Sequence, residues 1–361
     1  MTKKNSVIIL HDIDGRIYFK AISNLVVSGD IHEVIYRETN VFKKIIGSFL
    51  KRKDIKINFQ RFINNFLFRI QVPFLKNKII VLGMAPYSIL FLWYGLLARN
   101  NKVIYHTSWP YWWGGDVPHK NVLIRNFLKF LFKYYLNNFN FSIVCINEPT
   151  KKSISSQLVN KNIVVIPHSV NISFFDQKTA TTNNSRIRVL FVGRLVKQKG
   201  INELLDVAVQ LKDTHDFTFI GSGDEENKIK KMSELNDNIK YLGYIKEKDI
   251  LVKEFYNNDV FVLPSKKING WEELFGLVII EAMAAGLIVI STNHIGPRGI
   301  ISDGDNGILI SEENLNLSLK KELLAVDLNE EKYINIMCNA KRTIRDFDIT
   351  NVEKKWLDVI G

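Results

Sequence analysis

Trp271-Glu272-Glu273-Leu274-Phe275-Gly276-Leu277-Val278-Ile279-Ile280-Glu281-Ala282-Met283-Ala284-Ala285-Gly286 is the stretch from which the rest of the chain can be read. Ahead of it runs the apolar segment Val260-Phe261-Val262-Leu263, broken by Pro264, and behind it runs Leu287-Ile288-Val289-Ile290. Short apolar runs around a longer alanine-rich segment predict strand, helix, strand. Gly276 is expected to open the helix and Gly286 to close it, because a helix end favours a residue that tolerates positive φ. Glu273 then lies in the loop ahead of the helix, and Glu281 between one and two turns inside it. A helix N-terminus offers unpaired N–H groups and partial positive charge, so an anion can dock between the two carboxylates. Taken alone, the stretch also fits a helix that carries its glutamate on a solvated face.

The 361 residues suit two domains of ordinary size, and 46% apolar with 24% charged content describes a globular protein. Cys145 and Cys338 stand far apart in apolar surroundings, which points away from a metal site or disulfide framework and toward a reducing cytoplasm. No signal peptide is read in the first residues. The net charge of +12 is uneven: residues 1–170 hold 24 Lys+Arg against 8 Asp+Glu, the remainder 25 against 29. That asymmetry predicts an anionic partner for the first half alone.

In the first half, Val7–Leu10 reads as a buried strand ending in His11-Asp12-Ile13-Asp14-Gly15. Asp12-Ile13-Asp14 spells a D-x-D, a pairing that suits a hard cation, but a three-residue match is weak and no metal is expected. Lys43–Lys53 and Arg61–Arg69 mix bases with large apolar groups, as a helix lying on an anionic membrane surface does. A solvated helix packed on its own domain fits either segment alone. Nucleic acid is the rival anion, and no recognition motif accompanies the charge, so none is expected as a partner. Ile79–Ala98 is twenty residues without a charge, long enough to span a bilayer, yet Gly83 and Pro86 favour a strand over Ile79–Leu82, a helix over Tyr87–Ala98 and a strand over Val103–Tyr105. That second strand runs to His106, and ligands in doubly wound sheets bind beyond the carboxyl ends of strands. A histidine there can bond a hydroxyl or a developing charge near neutral pH, or be a satisfied structural residue. Trp109, Tyr111, Trp112 and Trp113 follow it. An amphipathic helix over Val122–Asn138 and a strand over Phe141–Ile146 come next, and the polar run Lys178–Ser185 reads as the linker.

In the second half, the strand Val189–Val192 leads into Gly193-Arg194-Leu195-Val196-Lys197-Gln198-Lys199-Gly200. A strand-to-helix turn with two glycines and bases fixed at Arg194 and Lys199 suits a pyrophosphate. Phe217–Ile220 runs likewise into Gly221-Ser222-Gly223, which lacks the third glycine of a dinucleotide fingerprint.

Glu-x-Phe-Gly-x4-Glu-Ala-Met-Ala followed by Gly resembles the E-x7-E signature of the retaining glycosyltransferases of family 4, of the kind that build bacterial polysaccharide, O-antigen and capsule. The resemblance implies an α/β GT-B fold, two Rossmann-like doubly wound parallel-sheet domains facing a central cleft. It implies domains over residues 1–170, completed by a C-terminal helix over 347–361, and 186–343. Gly193, Arg194 and Lys199 resemble the family's phosphate-binding turn, Gly221 and Gly223 its phosphate-side loop, and Tyr241–Ile245, with Tyr244, the segment whose backbone meets the nucleobase. Glu281 would hold the ribose hydroxyls. Glu273, with the backbone N–H groups of Phe275, Gly276 and Leu277, would orient the donor sugar, and His106 resembles the histidine beside it. Catalysis would rest on His106, Glu273, Arg194 and Lys199, without metal or other cofactor. The implied reaction moves a sugar from a nucleoside diphosphate sugar to a lipid-linked or glycan acceptor, at the inner face of the plasma membrane. A nucleotide-sugar epimerase and a catalytically silent binding module are the alternatives. Two departures stand out: only Gly15 remains in the first turn, and Gly299 stands in Gly296–Gly307 where glutamate is usual.

Overall fold

The computed structural model describes residues 5–39, 55–112, 122–159, 161–175, 186–268 and 270–361. The basic segment Lys43–Lys53, Trp113 and the linker Lys178–Ser185 therefore lie outside the described residues. The chain divides into two compact units, one comprising Met1–Ser169 and Ile349–Gly361, the other Val170–Asp348.

Unit 1 is a parallel sheet of β1 (Ser6–His11), β2 (Glu33–Glu38), β3 (Ile79–Gly83), β4 (Lys102–Thr107), β5 (Phe141–Cys145) and β6 (Ile163–Val165), in the order β2-β1-β3-β4-β5-β6. Successive side chains of a strand point to opposite faces, and β1 shows it. Ile8 and Leu10 join a core with Phe68, Phe91 and Phe132, while Val7 and Ile9 join one with Ile22, Val352 and Trp356. One face is thus covered by helices Ile55–Gln71, Ile89–Gly95 and Val122–Asn138, the other by Lys20–Val27 and the last helix, Ile349–Ile360. The sequence predicts the helix before β4 to start at Tyr87; it begins at Ile89. Tyr87 is fully buried in the left-handed region (φ 58) and Ser88 is extended, so the chain turns there before it can coil. Among the described residues no helix is long and apolar enough to cross a membrane.

Unit 2 is a second parallel sheet of β7 (Ile187–Val192), β8 (His215–Ile220), β9 (Ile239–Tyr241), β10 (Val260–Leu263), β11 (Ile288–Thr292) and β12 (Ile308–Ile310), in the order β12-β11-β10-β7-β8-β9. Counted within the unit this is the 3-2-1-4-5-6 order of a doubly wound dinucleotide fold, whose switch point lies between β7 and β10. Helix Leu277–Ala285 joins β10 to β11. Its apolar residues from Ile279 onward are buried, and Gly276 (φ 91) and Gly286 (φ 85) cap it in the left-handed region.

Candidate functional site

The carboxyl ends of β7, β8 and β10 meet through backbone contacts that only glycine permits. A Cβ on Gly200 would lie 1.9 Å from the Pro264 carbonyl oxygen, one on Gly221 1.8 Å from that of Gly193, and one on Gly223 2.4 Å from that of Leu195. The same segments are bonded: Gly193 N–H donates to Ile220 (3.0 Å), Leu195 N–H to Ser222 (2.9 Å) and Lys266 N–H to Gln198 (2.8 Å). Gly221 and Gly223 are thus demanded by the protein's own backbone. Gly193 is different, since a Cβ there meets only the Phe191 ring, at 3.4 Å.

The loop that carries Glu273 is strapped down on several sides. Ile268 and Trp271 bridge across Gly270. Gly296 N–H donates to the Glu273 carbonyl (3.0 Å), and a Cβ on Gly296 would sit 2.2 Å from the Phe275 nitrogen. The Glu273 N–H donates to Nδ1 of buried His294 (3.2 Å), so Nε2 carries the ring proton and donates to Glu312 (3.1 Å). Burial lowers the His294 pKa, against the raising effect of Glu312, which keeps the ring in this neutral tautomer. Glu272 accepts from Ile295 N–H (2.8 Å) and pairs with Lys267 (3.1 Å), whose own N–H donates to Glu312 (2.9 Å).

Each carboxylate of the motif is met by a lysine. Lys199, at the end of the turn after β7, pairs with Glu273 and lies 5.3 Å from the centre of the Trp271 ring. Lys248, the first residue of helix Lys248–Tyr256, donates to Glu281 Oε1 (2.8 Å) and stands 5.7 and 5.6 Å from the Phe174 and Phe175 rings. Glu281 is buried, and its Oε2 bonds to no described residue. Arg194 is exposed and has no hydrogen-bond or ion-pair partner among the described residues. Phe275 is buried against Phe347, and Tyr244 is exposed directly after Gly243, whose carbonyl accepts from Gly221 N–H. Gly276 and Leu277 form the helix N-terminus, whose first N–H groups have no partner within the helix. Unit 2 therefore gathers Arg194, Lys199, Glu273 and the helix end near its switch point. Sequence reasoning missed Lys248, His294 and Glu312, which are joined to the motif only through space.

In unit 1, His106 is the next-to-last residue of β4 and is buried. Its ring contacts those of Phe19 (4.8 Å), His168 (5.8 Å) and Trp356 (5.9 Å). Burial, then the neighbouring His168 and His11, drives its pKa well below the usual value, so the ring is neutral. Neither ring nitrogen bonds to a described residue. The switch point of this sheet, between β1 and β3, is filled by His11, for whose ring Gly83 leaves room: a Cβ there would lie 2.5 Å from it. The D-x-D carboxylates are committed to the fold. Asp12 accepts from Thr39 Oγ1 (2.6 Å) and Ala85 N–H (2.9 Å), and Asp14 pairs with Arg16 (2.7 Å). Among the described residues no group of three or more His, Cys, Asp or Glu stands placed to hold a metal ion.

Two parallel α/β units of this order, with the motif residues on the second, are shared with known glycosyltransferases. Anabaena HepE, solved in complex with UDP, superposes with a TM-score of 0.71 over 99% of both chains at 15% identity, which shows the GT-B fold. Residues 173–343 match the family described as glycosyl transferases group 1. An uncharacterized glycosyltransferase of Methanocaldococcus jannaschii is 32% identical over 260 residues, 70% of this chain and 67% of that protein. The N,N'-diacetylbacillosaminyl-diphospho-undecaprenol alpha-1,3-N-acetylgalactosaminyltransferase of Campylobacter jejuni is 27% identical over 67% of this chain and 65% of its own length. Coverage is smaller elsewhere, 41% of a Klebsiella pneumoniae protein in a cps region. The chain belongs to the group 1 glycosyltransferase family.

Proposed function

We propose that this glycosyltransferase moves a sugar, with retention of configuration, from a nucleoside diphosphate sugar to a lipid-linked or glycan acceptor in cell-surface polysaccharide synthesis. The observation that carries the reading is the convergence of Arg194, Lys199, Glu273 and a helix N-terminus around the switch point of unit 2. As the bond between the anomeric carbon and the diphosphate breaks, negative charge grows on the leaving group. Arg194, Lys199 and the helix end are preorganised to stabilise it, so the proposed step draws on side chains and amide dipoles without a metal. The acceptor oxygen then bonds the anomeric carbon from the same face, and the diphosphate takes its proton. Glu273 orients the sugar. Glu281, with Oε2 free, accepts from the ribose hydroxyls, a charge-assisted contact of about 2–3 kcal/mol. From unit 1 we assign to the reaction the neutral imidazole of His106. The name of the Campylobacter relative supports a lipid-linked acceptor, and the UDP of HepE supports a nucleotide donor.

Helix Val122–Asn138 supports a peripheral association with the inner membrane face, because Leu123, Phe127, Phe130 and Tyr134 form an exposed stripe along it. The test of the reaction is product analysis with the sugar nucleotide that most raises the melting temperature. Arg194→Ala and Lys199→Ala are expected to cut release of nucleoside diphosphate by several orders of magnitude, roughly 10²–10³ each, with the fold intact. Unchanged rates would remove the mechanism, and conversion of donor without acceptor would indicate epimerisation instead.

A further inference from the structure

At the end of the unit 1 sheet opposite His106 lies a second concavity, of about 750 Å³. It opens at the amino ends of β3, β4 and β5. Lys76, Lys78, Arg99 and Lys102 line it, with the amides of Asn100 and Asn140 among them, and its described lining contains no Asp or Glu. Lys102 is partly engaged, its ammonium donating to the Ile360 and Gly361 carbonyls (3.0 and 3.1 Å). The Lys76 and Lys78 ammonium groups are exposed and bond to no described residue. Arg99 lies 5.6 Å from the centre of the Phe139 ring, and stacking of that kind orients a guanidinium without consuming its N–H donors. The mouth is built on firm backbone. Buried Asn101 donates to the Leu75 and Leu97 carbonyls (2.8 and 2.9 Å) and accepts from Lys78 N–H (2.9 Å), while Asn77, in the left-handed region, donates its N–H to Asn100 (2.9 Å).

Lys102 is engaged by the chain's last two residues, but Lys76, Lys78 and Arg99 stand around one hollow whose described lining holds no Asp or Glu; they repel one another, and an anion in the hollow relieves that repulsion. We propose that this hollow is a second binding site, for a phosphate-bearing anion, separate from the transfer reaction. Ammonium and guanidinium donors with neutral amides are the set that phosphate oxygens use. The chain segments that supply the bases also carry exposed apolar groups: Ile70 and Phe74 precede Lys76, and Trp93 precedes Arg99. A phosphate at the end of an acyl-chain lipid suits that juxtaposition, and free phosphate shares the same chemistry.

The test uses the full chain and needs no sugar nucleotide, so it stands or falls apart from the proposed reaction. Binding is measured to inorganic phosphate, to vesicles of phosphatidylcholine, and to vesicles of phosphatidylcholine with phosphatidylglycerol. The triple variant Lys76→Gln, Lys78→Gln, Arg99→Gln is compared with a control of equal charge loss, Lys212→Gln, Lys231→Gln, Lys240→Gln. Each basic residue near an anionic surface contributes about fivefold, so the triple variant is expected to bind roughly a hundredfold more weakly than the control. A loss confined to the phosphatidylglycerol vesicles identifies a headgroup, and a loss on inorganic phosphate identifies the free ion. If the triple variant melts early, Lys76→Gln with Lys78→Gln alone should still lose about 25-fold, since neither side chain holds the fold together. Equal binding of variant and control on every probe overturns the site.

Discussion

Gly296→Ala tests whether the loop carrying Glu273 must stay where the second sheet holds it. The added Cβ would lie 2.2 Å from the Phe275 nitrogen, 2.4 Å from the Leu274 carbonyl carbon and 2.7 Å from the Phe275 Cα. All three are backbone atoms, so no side-chain tip can swing aside, and ordinary contact begins at 3.4 Å. The two segments have to separate by about 1 Å, which stretches the bond from Gly296 N–H to the Glu273 carbonyl and shifts the helix N-terminus with it. Overpacking of this kind costs about 1–3 kcal/mol of stability. A displacement of about 1 Å in a positioning element costs about 10²-fold in turnover. Release of nucleoside diphosphate, followed beside urea denaturation, is therefore expected to show kcat down about a hundredfold in a protein still folded at 25 °C. Wild-type kcat and an unchanged unfolding midpoint would refute the reasoning, because the backbone would have absorbed the methyl group without moving the site.

Lys248→Met removes the partner of Glu281 and is expected to weaken nucleotide binding about fivefold by calorimetry, less than a fully buried charged bond because Lys248 is about a third exposed; an unchanged Kd would mean that the pair only ornaments the helix. Stability should fall on acidification: burial pushes the His168 pKa down to about 4, whereas an unfolded imidazole protonates near 6.5, so the unfolded state binds more protons in between. From pH 6.5 to 4 this contributes a loss of about 3 kcal/mol, and urea midpoints that do not move in the wild type, or move as far in His168→Asn, would contradict it.

What the sequence makes legible here is local. Helix Leu277–Ala285 and both of its glycine ends follow from apolar runs and the cost of positive φ, and so do the strands around it. The start of helix Ile89–Gly95 was not legible, because a buried tyrosine in the left-handed region carries no signal in its neighbours. The glycines show the other limit. Gly221 and Gly223 look like a ligand loop, and the structure gives them a prior duty: their Cβ atoms would occupy the Gly193 and Leu195 carbonyls. Sequence spacing cannot separate a backbone approached by phosphate from one approached by its own chain. The His294–Glu312 strap was illegible for a different reason, since contacts through space leave no periodic trace.

On the proposed reading, the two lysine–carboxylate pairs also bear on which ligands the site can accept. Lys199 is held by Glu273 and Lys248 by Glu281, so of these three cations Arg194 alone has no partner among the described residues. A bare phosphate that draws Lys199 away leaves Glu273, itself largely shielded from water, without compensation, and an uncompensated buried charge is costly. A ligand that brings hydroxyl donors together with its phosphates replaces what it takes: oxygens for the lysine, O–H groups for the carboxylate. On that reading the arrangement favours a whole sugar nucleotide over inorganic phosphate by pairing each of the two lysines in advance with the carboxylate that must be satisfied when the lysine moves.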